Sequence, residues 1–286
     1  MSEPDPTLRG QELGEELRKL REKAGLKIAD VAVRIDVSQS KLSRLETGRR
    51  NAQVEDVAAL LAIYGVVGAK RRELLDLARE ADRLGWWQRD RPDFQARQRT
   101  LISLESQADQ IINFEGMNMP GLLQTGEYTR SLMLECGMVP QDEVEDRMVT
   151  RLRRHSVLHR ERPPQLLAII DELVLRRIIG GVDVLRRQFD HLVELSARPN
   201  IKIRVVPNQQ AHPGLTGSFA ILRRTGAPVV VFLENMTSSL FLEERREVAQ
   251  YEGAVRKLLA TAHSEEHSRV LIAALARRLE TEASVP

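Results

Sequence analysis

The sequence predicts an α+β protein overall, with an all-α N-terminal domain followed by a larger α+β domain with a mixed sheet. Three observations predict it. Apolar residues recur at helical spacing from Leu8 to Arg83. Runs rich in β-branched and aliphatic residues, Leu166 to Ile170, Ile201 to Val206, Ser218 to Arg223 and Val229 to Leu233, occur only in the second half. A helical pattern from Val182 to Ala197 separates the first two runs, the layout of a right-handed crossover; the later runs, joined by short loops, suggest antiparallel hairpins.

Residues 1 to 6, MSEPDP, read as a disordered lead. Helices are then expected over Leu8–Ala24, Lys27–Ile35, Gln39–Thr47, Val54–Tyr64 and Gly68–Arg83, with Gly65 and Gly68 punctuating the last two. The stretch Leu26 to Arg50, LKIADVAVRIDVSQSKLSRLETGRR, carries the chemistry. Val31, Ala32 and Ile35 give its first helix one apolar face, and Leu42 with Leu45 gives the second helix its own. Asp36-Val37-Ser38 breaks the pattern: Asp tolerates a left-handed turn, and Ser38 can cap the next helix by accepting a bond from an amide one turn ahead. Left outward are Gln39, Ser40, Lys41, Ser43 and Arg44, then Gly48 as a helix stop, then Arg49 and Arg50. These are side chains of the kinds that read base edges and phosphates, so a helix-turn-helix with double-stranded DNA as its partner is expected.

The string V-S-Q-S-K-L-S-R-L-E-T-G-R-R resembles the XRE (Cro/phage-repressor-like) helix-turn-helix pattern V-S-x-S-x-I-S-x-I-E-x-G-x-R. The resemblance implies that Gln39, Ser40 and Arg44 occupy base-reading positions and that Lys41, Ser43, Arg49 and Arg50 face phosphates. It also implies that Arg21 and Glu46 form a structural pair linking the first helix to the end of the recognition helix. There are two departures: Ile28 stands where the family usually has a phosphate-bonding Gln, and Asp36 replaces the usual turn Gly.

At 286 residues the chain has room for about two domains, and the DNA-binding unit uses less than a third of it. The net charge is only +2, yet Thr7 to Arg50 holds eleven Lys or Arg against seven Asp or Glu, so the basic excess sits on the module expected to meet phosphates. One cysteine, Cys136, excludes an internal disulfide and is expected as a buried small hydrophobe. No run of 18 apolar residues and no signal-peptide pattern occurs, so a soluble, cytoplasmic protein without a membrane partner is expected.

Residues 1–84 are assigned to the helix-turn-helix domain, 85–99 to a junction and 100–286 to the larger domain. The junction holds both tryptophans, Trp86 and Trp87, which would pack between domains or complete the helical core. Beyond it, a helix is expected through Leu101, Leu104, Ala108, Ile111 and Ile112, and another capped by Thr125 through Tyr128, Leu132 and Leu134. The next, Val144 to Arg160, has acids early and arginines late, complementing a helix dipole. Two helices, Glu243–Ala262 and Ser264–Glu282, close the chain.

N-F-E-G-M-N-M-P-G-L-L-Q-T-G-E-Y-T-R and H-P-G-L-T-G-S-F-A-I-L are similar to segments of a C-terminal domain of WhiJ-like actinobacterial XRE regulators. That resemblance implies a developmental or secondary-metabolism regulator working with a small partner protein. Pro120-Gly121 and Pro213-Gly214 mark turns, and Glu115, Gln124, Tyr128 and Thr216 are the candidate ligand or partner residues. No catalytic residues, cofactor or metal site are expected. His155 with His159 is embedded in arginines that repel a cation, and His263 with His267 has no obvious third ligand. Asp171-Glu172, at a strand end, are too common a pair to carry a reaction alone. The expected protein is therefore a sequence-specific DNA-binding transcriptional regulator, not an enzyme, acting as a homodimer and controlled through its C-terminal domain by a small partner protein or small-molecule effector. The alternative is an antitoxin-like protein that restrains a small partner and autoregulates its operon.

Overall fold

The computed structural model describes residues 8–48, 52–80, 86–88, 94–137, 139–235 and 238–283. The expected lead at 1–6 and the phosphate-facing Arg49 and Arg50 lie outside them, as do the side chains of Trp86 and Trp87. The chain divides into two compact units, the first made chiefly of residues up to 86 and the second of the remainder.

The first unit is all-helical: α1 (Leu8–Lys23), α2 (Ile28–Arg34), α3 (Gln39–Glu46), α4 (Val54–Ile63) and α5 (Gly68–Glu80). Each ends close to where the apolar spacing stops. Leu13 and Leu17 of α1, Val31 and Ala32 of α2, Leu42 and Leu45 of α3, and Val57, Leu60 and Leu61 of α4 form one buried cluster, joined by Leu74. Each fully buried Leu or Val is worth about 1.5 to 3 kcal/mol, so a unit of this size depends on nearly all of them.

The second unit carries a mixed sheet. Among the described residues its strands are β2 (Gln110–Glu115), β3 (Gln165–Asp171), β4 (Ile201–Val206), β5 (Phe219–Arg223), β6 (Val230–Glu234) and β7 (Ser239–Leu242), with a three-residue strand, β1 (Trp86–Gln88), at one edge. The spatial order is β1-β7-β6-β5-β2-β3-β4. β2, β3 and β4 run parallel, with Glu115 opposite Ile170 and Asp171 opposite Val206. β5 runs antiparallel to β2, Phe219 opposite Phe114. The helix between β3 and β4 is α9 (Gly181–Leu195), the expected crossover. α6 (Phe94–Gln107), α7 (Gly126–Glu135), α8 (Val144–His155), α10 (Arg245–Thr261) and α11 (Glu265–Ala283) complete the unit.

Three expectations are corrected here. The helix expected through Ile112 stops at Gln107, and Ile111 and Ile112 belong to β2. The helix expected to Arg160 ends at His155 and tightens into a 3-10 turn over Ser156–His159. Cys136 caps the end of α7 and is exposed, because the chain turns away at Gly137 before the thiol can pack.

Candidate nucleic-acid interface

Local chemistry places α3. Asp36 has φ 52°, the one non-glycine left-handed backbone among the described residues, so the tight turn between α2 and α3 is made by the residue type expected there. Ser38 adopts extended backbone and its Oγ accepts from the Lys41 amide at 3.0 Å, satisfying one of the orphan donors of the new helix. Gly48 ends the element at φ 68°, and a β-carbon there would stand 2.6 Å from Gln11 Cα. Glycine is thus required twice over, by conformation and by the close approach of α1.

Burial then sorts the faces of α3. Leu42, Leu45 and Glu46 are buried. Gln39, Ser40 and Ser43 are exposed, and Lys41 and Arg44 half-buried. Two of these polar side chains have partners within the unit: Lys41 Nζ pairs with Asp56 of α4 at 2.8 Å, and Arg44 Nε donates to the Ser40 carbonyl at 3.3 Å.

Glu46 is buried because it accepts both ends of a bidentate bond from Arg21 of α1, Nε to Oε1 at 2.7 Å and Nη2 to Oε2 at 2.8 Å. Arg21 Nη1 also donates to the Leu26 carbonyl at 3.0 Å. The hydrogen bond to Glu46 raises the Arg21 pKa further, so the guanidinium stays charged. One guanidinium therefore fixes the C-terminal end of α3 and the loop before α2 to the same helix.

The candidate residues of the larger unit fall differently. Gln124 and Tyr128 do converge, but on the backbone of Met119: Gln124 Nε2 donates to its carbonyl at 2.7 Å, and its amide donates to Tyr128 Oη at 3.4 Å. Gln124 Oε1 accepts from Thr129 at 3.0 Å, and both Gln124 and Tyr128 are fully buried. Tyr128 lies in α7, the helix expected behind the Thr125 cap, and both side chains have their polar atoms satisfied inside the fold, so neither is presented to a ligand or partner. Thr216 is exposed, its hydroxyl donating to the Pro213 carbonyl at 2.9 Å. Glu115 ends β2, half-buried beside Asn113 and Ser218; burial pushes its pKa up to about 7 against the bonds from these two neighbours.

The sequence pattern does not single out His212. Its Nε2 bonds Asp171 Oδ2 at 2.9 Å, both side chains nearly closed to solvent, while Asp171 Oδ1 accepts from the Leu173 amide at 2.8 Å. The available signal was an acid at the very end of a strand followed, within one crossover, by a His-Pro-Gly turn.

By fold and by sequence the first unit is a helix-turn-helix domain: residues 12–74 match a helix-turn-helix domain family. Residues 98–274, more than half the chain, match the family described as domain of unknown function DUF5753, and the chain belongs to that family. A segment of 54 residues is similar to the HTH-type transcriptional regulator DdrOP3 of Deinococcus deserti, at 41% identity over 19% of this chain and 42% of that protein. The chain thus spans less than half the length of this curated relative. The crystal structure of the clp gene regulator ClgR from C. glutamicum is similar at 31% identity and TM-score 0.22, covering 28% of this chain and 97% of that one. No described helix is long and apolar enough to cross a membrane.

Proposed function

We propose that this protein is a sequence-specific DNA-binding transcriptional regulator controlled through its larger domain. The observation that supports it most is α3 itself: a helix capped by Ser38, tied to α1 through Glu46, and presenting Gln39, Ser40 and Ser43 to solvent. A rigid helix with hydrogen-bonding side chains outward has the form that enters a major groove. In this reading Gln39, Ser40 and Arg44 read base edges, and Lys41, Ser43, Arg49 and Arg50 meet phosphates, Lys41 exchanging Asp56 for a phosphate oxygen. A single reader spans too few base pairs to find a site in a genome, so two copies bind as a homodimer at half-sites about one helical turn apart.

Control through the larger domain draws on a second observation. Met117, Leu173, Ile178 and Leu215 are 59%, 50%, 56% and 68% exposed. All four lie on segments that follow the carboxyl ends of β2, β3 and β4, so four apolar side chains stand exposed along this edge of the sheet, among the exposed Arg176, Arg177 and Gln209. That edge suits a small partner protein, as the likeness to WhiJ-like regulators implies, and equally the antitoxin-like reading in which restraint of the partner is the main task. DNA affinity measured with and without the partner separates the two: a shift supports the regulator.

Binding curves on selected and scrambled duplexes test the reader. Gln39→Ala and Arg44→Ala should each cost about 1 to 3 kcal/mol at the selected site and relax preference at the contacted base. Arg49→Ala should weaken binding to all sequences alike. An unchanged specificity ratio in the first two variants would remove α3 from base readout.

A further inference from the structure

Lys41, one of the α3 side chains assigned to phosphates, is already engaged by an acid of its own unit. Its Nζ stands 2.8 Å from Asp56 Oδ2, and the two side chains are 25% and 23% exposed, so the pair is partly shielded yet open to solvent. Lys41 is the third residue of α3, in the turn capped by Ser38, and its own amide makes the cap bond at 3.0 Å. The N-terminal turn of a recognition helix is the part that reaches the bases, so this ion pair stands at the surface the DNA would approach.

Asp56 is placed there by α4. It lies in the first turn of that helix beside Glu55, and Gln53, ahead of the turn, supplies no side-chain cap, so the positive end of α4 favours an acid. Glu55, exposed in the same turn, meets that need as well. What sets Asp56 apart is the Lys41 ammonium against it. Lys41 in turn stands at the end of α3 where the helix dipole disfavours a cation, and the Asp56 carboxylate offsets that cost.

We propose that Asp56 is an internal substitute for a backbone phosphate that restrains the affinity of the reader for all duplex DNA, a role that rests on the reading of α3 as the groove helix. A phosphate oxygen that takes Lys41 must displace Asp56, and the freed carboxylate then faces the polyanion with like charge. Both effects oppose binding, and neither depends on the bases in the groove, so both act on the electrostatic, sequence-independent part of the affinity. A pair this close to solvent is weak enough to exchange, which leaves Lys41 available to DNA. Restraint of that part matters to a regulator because non-specific sites in a genome vastly outnumber its own.

The test measures binding of the full chain to a selected and a scrambled duplex between about 50 and 200 mM salt. Asp56→Asn keeps the size of the side chain and removes its charge. It should tighten binding to both duplexes about two- to fivefold per bound copy and leave their ratio unchanged. One more net positive charge at the interface steepens log K against log salt by up to about 0.9, so the loss across that salt range should grow by up to about 3.5-fold per copy. In a Lys41→Met background the gain from Asp56→Asn should be smaller, because only the repulsion remains to be relieved; thermal midpoints show that each variant is folded. Unchanged affinity and salt dependence in Asp56→Asn, or an equal gain with and without Lys41, overturns the proposal. If Gln39→Ala and Arg44→Ala lose selectivity while either of those results holds, the reader reading stands and the restraint alone falls. If all of these variants bind both duplexes as the wild type does, the reader reading falls with it.

Discussion

The pair Arg21–Glu46 gives the sharpest consequence for the reader domain. Glu46→Ala would remove two charge-assisted bonds, at 2.7 and 2.8 Å, and leave the guanidinium with only the Leu26 carbonyl. The side chains are 12% and 4% exposed, so the remaining charge can reach water only in part. Breaking a fully buried pair costs about 3 to 5 kcal/mol; partial access lowers the figure here to about 2 to 4 kcal/mol. For a helical unit of this size about 1 kcal/mol moves the midpoint by roughly 4 to 8 °C, so its transition should fall by about 8 °C or more. Differential scanning calorimetry of the full chain reads this as a shift of one transition while that of the larger unit stays. Arg21→Met combined with Glu46→Leu, which removes both charges, should be less destabilised than either single change. A midpoint within about 2 °C of wild type for Glu46→Ala would mean that the pair behaves as a surface contact, and the argument for a clamped recognition helix would fail.

Three further outcomes are expected. Ser38→Ala should lower stability of the same unit by about 1 kcal/mol through loss of the cap, read by urea unfolding, and Ser38→Asp should retain it. Gly48→Ala should cost more than the cap, because it adds a strained left-handed backbone to a clash with Gln11, and a neutral result would contradict the close approach. Glu115 and His155 should offset each other in the pH profile. Glu115, raised from 4.5 to about 7, makes stability fall as pH rises through that interval, whereas His155, lowered from 6.5 to about 4, makes stability fall as pH drops through its own. Wild type should therefore be nearly level between about 4.5 and 6.5. Glu115→Gln should unmask a loss on acidification and His155→Asn a loss on alkalinisation, both followed by thermal midpoint against pH.

The reader domain was legible in the sequence because its determinants are local. A left-handed Asp36, a cap from Ser38 to an amide three residues on and a stop at Gly48 are each decided within one turn of helix. The Arg21–Glu46 pair spans 25 residues and came only from the resemblance. In the larger unit the deciding contacts are distant. Ile111 and Ile112 fit a helical face as well as a strand, and only pairing with Leu166 and Leu167 on one side and Leu222 and Ile221 on the other resolves them. Gln124 and Tyr128 fit a ligand site by residue type alone, because their shared partner is the Met119 backbone, which no side-chain pattern reveals. Asp171 and His212, 41 residues apart, meet only once β3, β4 and the following turn are assembled.

Selection from a random duplex pool with the full chain tests the central claim most directly. The account predicts enrichment of a sequence with two related half-sites about one helical turn apart, lost in Gln39→Ala and Arg44→Ala, with non-specific binding to unselected duplex retained. Recovery of no preferred sequence, or of the same sequence by wild type and both variants, would contradict it.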